Sequence, residues 1–317
     1  MAHTTLNRRQ MCQLLAAGPA ALGLAPGWLI AEEPAPFGLR YVLASSMYGT
    51  FRLEDIVPEV HKTGADAIDL WPLPHADQRE QMEAMGRAGF ADLLAVHNVR
   101  LGMTTRYDLG PFGLQAEMRV LHAFGGRLVI SGSHGPPDVA GAEAKRAVRQ
   151  FIEQMKPHVH AAEELDVVIG IENHQHALLS TPDSLRYFAE LSPSRNLGVA
   201  LAPYHLPQDE ELLARLIEDL GPALVHFYAW QHGRGCMNAQ PKEQELEQLP
   251  GRGKLPFQPL LAALKKINYA GWTEVFMHPF PRGIPVLPTR EEVTAEINRA
   301  REYLKMHTIG QAGYPAR

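Results

Sequence analysis

Eight short apolar runs alternating with helical patterns set the strongest limit on what this chain can fold into. The runs fall at 39–43, 67–70, 99–103, 127–130, 167–171, 197–201, 223–227 and 272–276. Between them, apolar residues recur at the i, i+3, i+4, i+7 spacing of one buried helix face: Leu53, Ile56, Val57 and Val60, then Val148, Phe151, Ile152 and Met155. Leu212, Leu213, Leu216, Ile217 and Leu220 repeat the pattern, Leu260, Leu261, Leu264 and Ile267 make a seventh helix, and Val293, Ile297, Ala300 and Leu304 close the series. Eight strands each followed by a helix predict an α/β fold of the (β/α)8 TIM-barrel type, a single domain over 39–306. An open doubly wound sheet would more often carry a phosphate-binding glycine fingerprint after its first strand. Ala44-Ser45-Ser46-Met47-Tyr48-Gly49 has none.

Composition agrees with one sizeable core. Of 317 residues, 45% are hydrophobic and 21% charged, ordinary values for a globular domain. A formal net charge of -5 and no Lys/Arg-rich run argue against a nucleic-acid partner. Arg8-Arg9 precede a modest apolar stretch to Ile30 that Pro19 and Pro26 interrupt. This resembles a twin-arginine export signal over 1–31, followed by a Pro-rich joint at 32–38; residues 307–317 read as a C-terminal tail. The expected location is periplasmic or exported, with no stable membrane association after export. Of the two cysteines, Cys12 lies in this leader, so cleavage leaves Cys236 alone and no internal disulfide.

The chemistry is expected at the strand ends. The run Val167-Val168-Ile169-Gly170-Ile171 reads as a strand buried on both faces and passes straight into Glu172-Asn173-His174-Gln175-His176. In a barrel all such ends converge on one face. Strand two then brings Asp69 and Trp71, strand three Arg106 and Tyr107, and strand six Tyr204 and His205. Strand seven brings His226, Tyr228 and Trp230, and strand eight Glu274 and His278. Histidines and carboxylates from different strands in one cleft are a donor set for a divalent cation.

These segments resemble the sugar phosphate isomerase/epimerase family, the xylose isomerase-like barrels. The resemblance rests on Ile169-Gly-Ile-Glu172-Asn-His, on the segment through His205, and on the last unit. That unit reads Gly251-Arg-Gly-Lys-Leu-Pro-Phe257, then Leu264-Lys-Lys-Ile-Asn-Tyr-Ala-Gly271-Trp-Thr-Glu274. It implies a divalent metal (Mn, Zn, Co or Mg) held by a Glu after strand five, an Asp after strand six, a His after strand seven and a Glu after strand eight. It also implies that Glu172 and Glu274 form the acid/base pair acting on a carbon beside a carbonyl. Two positions depart from the pattern. Ala202 stands where the Asp is expected, and the strand-seven histidine is either His226 or is replaced by Tyr228. The implied metal set is Glu172, His205, His226 and Glu274. His174, Trp71, Arg106, Tyr228, Trp230 and His278 are the expected substrate contacts. No phosphate cradle appears and Arg106 and Arg282 are isolated, so a non-phosphorylated, neutral sugar is the expected partner. A lyase on a keto-glycoside or inosose, and a non-catalytic sugar-binding barrel, remain open beside the isomerase/epimerase reading. The oligomeric state is left open too, a homo-oligomer included.

Overall fold

In the computed structural model, which describes residues 37–309, eight parallel strands pair in sequence order and close into a barrel. They are β1 (Arg40–Ala44), β2 (Ala67–Leu70), β3 (Arg100–Thr105), β4 (Leu128–Gly132), β5 (Val168–Glu172), β6 (Leu197–Leu201), β7 (Leu224–Ala229) and β8 (Trp272–Val275). The connecting helices are α1 (Leu53–Ile56), α2 (Gln78–Val96), α3 (Gln115–Ala123), α4 (Gly141–Glu164), α5 (Pro182–Leu191), α6 (Glu210–Leu220), α7 (Lys242–Glu245), α8 (Gln258–Lys266) and α9 (Arg290–Ile309). Every residue of β2 and β6 is buried, as strands wrapped on both faces must be.

The helices form where caps and apolar spacing coincide. Asp209 accepts from the Leu212 N–H at 2.9 Å and starts α6, whose Leu213, Leu216, Ile217 and Leu220 all face the barrel. Thr181 and Ser184 make a capping box at the start of α5. The expected helix through Val60 is cut short. Pro58 offers no N–H, so α1 ends at Ile56 and the chain continues in 3-10 turns at Val57–Glu59 and His61–Thr63. Leu53, Ile56, Val57 and Val60 are nonetheless fully buried: the spacing identified the face but not the kind of helix.

Three strands, β3, β4 and β7, run two residues past their sequence-based ends, and for β3 and β7 this matters for the site. β3 extends to Thr105 and β7 to Ala229. His226 and Tyr228 therefore sit two apart on one strand and both point inward, so the choice between them resolves as one above the other. α9 continues to Ile309, past the expected boundary at 306. The leader, Cys12 and the joint through Pro36 lie outside the described residues. No described helix is long and apolar enough to cross a membrane.

Candidate active site

The carboxyl ends of the strands place a layer of polar side chains under a small cavity. Asp69 from β2 and Glu274 from β8 are fully buried, and the charge of Asp69 acts on Glu274. Thr105 donates to Asp69 Oδ2 at 2.7 Å. His226 Nε2 lies 3.4 Å from Glu274 Oε2, and His205 Nε2 lies 3.7 Å from Glu172 Oε1. Neither contact has hydrogen-bond geometry, and both nitrogens of each imidazole lack a partner. So do Glu172 Oε2, both Glu274 oxygens and the hydroxyls of Tyr107 and Tyr228. Each such buried group costs about 1–3 kcal/mol unless something completes it. Their concentration under one cavity marks a place built for a polar ligand.

Above this layer, six rings close a circuit. Trp71 neighbours Tyr107 (6.5 Å between centroids), Tyr107 neighbours His174 (6.1 Å), and His174 neighbours His205 (4.0 Å). His205 meets Trp230 (5.2 Å), Trp230 meets His278 (5.4 Å), and His278 returns to Trp71 (5.9 Å). With His75, Arg282 and Glu172 they line a cavity of about 110 Å³. Glu172 belongs to the arc of Tyr107, His174 and His205; His278 stands across the ring. A larger cleft of about 320 Å³ lies by Leu39, Tyr41 and Arg301 at the opposite, amino end of the barrel, where barrels place stability rather than chemistry.

Burial keeps this layer near neutrality. It pushes Glu172 up to about 7, against the Tyr107 and Tyr228 phenols and the Arg282 charge, which pull it down. It pushes Asp69 up to about 8, opposed chiefly by the Thr105 hydrogen bond. Glu274 is held well above the ordinary carboxyl range by burial and then by the charges of Asp69 and Glu172. Burial lowers His205 to about 2, His226 to about 3 and His75 to about 4. The imidazoles here are neutral bases, and the Asp69–Glu274 pair holds at least one proton at neutral pH.

Residues 57–302 match the family described as the xylose isomerase-like TIM barrel. The chain belongs to that family. Over 190 residues it is 29% identical to a D-psicose 3-epimerase of Enterocloster bolteae, covering 57% of this chain and 55% of that protein. A D-psicose 3-epimerase of Agrobacterium fabrum is 25% identical over 142 residues, covering 45% and 43%. The chain thus spans about half the length of the curated relatives it matches. A solved D-psicose 3-epimerase with D-tagatose from Clostridium cellulolyticum H10 superposes with a TM-score of 0.62 at 15% identity, over 85% of this chain and 99% of that one. That likeness is one of fold.

This xylose isomerase-like barrel brings Glu172, His174, His205, Trp71, Trp230 and His278 to the cavity. Four expected site residues do not line it. Arg106 is drawn off by Glu117 and Asp108, while His226, Tyr228 and Glu274 are wholly buried off the lining. His75 and Arg282 were missed because they sit in the loops after β2 and β8, away from the strand ends themselves.

The four-residue metal shell implied by the resemblance is not assembled. Its members stand as two pairs, Glu172 with His205 and Glu274 with His226, and among the described residues no three His, Cys, Asp or Glu side chains gather to hold a metal. Ala202 offers only backbone, and Asn173 clamps that at both ends: the Ala202 N–H donates to Asn173 Oδ1 at 2.7 Å, and Asn173 Nδ2 donates to the Ala202 carbonyl at 3.0 Å. Tyr228, held well above the ordinary phenol range by burial first and then by the charges of Glu172 and Glu274, keeps its proton and is a donor rather than a ligand. The donors present do not fit that shell.

The buried carboxyls give folding a pH signature. Asp69 holds a proton in the folded state that the unfolded chain loses near 3.8, so its contribution is full below that value and is lost as pH rises through about 8. Glu172 behaves likewise between 4.5 and about 7. The depressed histidines act in reverse: their contribution is full above 6.5 and declines as pH falls. As pH rises from 6.5 to 8 the unfolded histidines finish losing their protons, and each carboxyl still protonated in the folded state lowers the unfolding free energy by about 1.4 kcal/mol per unit; the histidine contribution is common to wild type and to a carboxyl variant. Asp69→Asn should flatten that slope by about one group's worth. Urea unfolding at pH 6.5, 7.25 and 8 tests this, and equal slopes in the two proteins would refute it.

Proposed function

We propose that this barrel epimerises a non-phosphorylated ketose by moving a proton on and off the carbon beside the carbonyl. One observation carries the reading: a single carboxylate, Glu172, faces the interior of a small aromatic-walled cavity at the strand ends, with its conjugate acid poised near neutrality. Such a group takes a proton from a weak carbon acid most effectively when its pKa lies near the working pH. The oxygen that gains charge as the proton leaves needs donors held ready for it. Tyr107, which lines the cavity with an unpartnered hydroxyl kept protonated by burial, supplies one. Trp71 and Trp230 offer apolar faces to the sugar ring. The related D-psicose 3-epimerases support the reaction class.

Inversion needs a proton returned from the other face. The resemblance suggests Glu274, but that carboxyl is buried off the lining, and His278 is the cavity residue opposite the Glu172 arc. The experiment is incubation with D-fructose, D-psicose and D-tagatose in deuterated water, following deuterium at C3 and the epimer formed by NMR, with chelator and with added Mn²⁺ as parallel arms. Wild-type protein should show both exchange and inversion. His278→Ala should retain exchange but lose inversion by about 100-fold or more. Absence of exchange in every ketose under both arms would overturn the reading.

A further inference from the structure

Arg282 is the one Lys or Arg among the residues lining the cavity, and among the described residues no carboxylate forms an ion pair with it. Of the arginines at the carboxyl ends of the strands, Arg79 and Arg106 are neutralised by Glu117; half-buried Arg301, at the amino end, also lacks a carboxylate but bonds Asn298 and lies over the Tyr41 ring. Arg282 instead donates through Nη2 to the Cys236 thiol at 3.3 Å, while its buried Nη1 has no partner. The thiol is itself held by Tyr204, whose hydroxyl lies 3.0 Å from Cys236 Sγ and whose ring stacks on Trp230 at 3.9 Å. This brace of thiol and phenol positions the guanidinium without pairing it to a carboxylate. The rings beside it add none, since His75, His174 and His205 are all depressed, by burial first and by Arg282 among the further causes.

We propose that Arg282 receives the carboxylate of an anionic substrate, making the preferred ligand a keto-sugar acid. A planar guanidinium fork fits a carboxylate through two parallel hydrogen bonds. One cation, with no glycine cradle and no second arginine or lysine lining the cavity, matches a monoanion better than a phosphate dianion. The neutral sugar expected from the sequence rested on the lack of a cationic cluster, yet a single unpaired charge within the cavity is enough for one carboxylate. The assignment rests on the epimerase reading for the reaction, but binding tests it separately.

Isothermal titration would compare D-fructuronate with D-fructose, and D-tagaturonate with D-tagatose, each pair differing only in carboxylate against hydroxymethyl. The acids should bind about 10-fold or more tightly than their neutral partners, as a charge-assisted pair implies. Added NaCl should narrow the gap. Arg282→Gln should collapse the preference and Arg282→Lys should restore part of it. Equal affinity within a pair, no detectable binding of the acids, or a preference unchanged in Arg282→Gln would overturn the assignment. Preference for the acids without deuterium exchange in any sugar would instead remove the epimerase reading and leave this one standing. Exchange with neutral ketoses and no preference would do the reverse.

Discussion

Glu172→Gln should reduce deuterium exchange and epimerisation by about 1,000-fold or more while leaving the barrel folded. Removal of a general base ordinarily costs about 10²–10⁴ in rate, and the upper half of that range applies because no second carboxylate lines the cavity to substitute for it. The amide keeps the shape of the side chain and relieves a buried carboxylate of its desolvation, which is the main cause pushing Glu172 up to about 7. Unfolding in urea at pH 8 should therefore show the variant as stable as wild type or more so. Glu172→Asp retains the chemistry but withdraws it by one methylene, and should lose about 100-fold through misplacement alone. If Glu172→Gln exchanges substrate protons at close to the wild-type rate, the base lies elsewhere and the assignment of the site falls.

The barrel could be read from the chain because its signal is repeated: eight apolar runs and a helix face after most of them, each helping to fix the next. Glu172 was readable for a local reason, a fully buried strand running without a turn into charged residues. The division of labour among the other polar residues was not. Arg106 and Arg282 look alike in sequence, each a lone arginine in a loop beyond a strand. What separates them is Glu117, eleven residues after Arg106 in α3, which takes Arg106 and has no counterpart near Arg282. Glu274 and Glu172 likewise share a strand-end motif. Only the closed barrel separates them, leaving Glu172 on the cavity's lining and Glu274 wholly buried off it. Depth along a barrel is set by register between strands, and a single sequence carries no direct record of register. The same limit explains why His226 and Tyr228 were treated as alternatives when the longer β7 turns both inward.

Removing Glu117 should be among the most damaging single changes to stability, although it lies outside the cavity. Its carboxylate, almost wholly shielded, accepts from Arg79 Nε and Nη2 at 2.9 Å each and also takes Arg106 Nη1. It thereby ties α2 and α3 to the end of β3. Glu117→Ala leaves a buried guanidinium at Arg79 with only the exposed Glu83, 3.1 Å away, for company. A buried pair broken from one side typically costs 3–5 kcal/mol, because the remaining charge stays desolvated without its partner. For a domain of this size that corresponds to a fall in Tm of about 6 °C or more. Activity should decline too, since Arg106 sits between Thr105, which donates to Asp69, and Tyr107, which lines the cavity. The double variant Arg79→Met, Glu117→Leu removes both charges and should recover most of the lost stability. Urea unfolding of the three proteins decides the matter: a loss below about 1 kcal/mol in Glu117→Ala, the level of an exposed ion pair, would show that the network is not what anchors this end of β3.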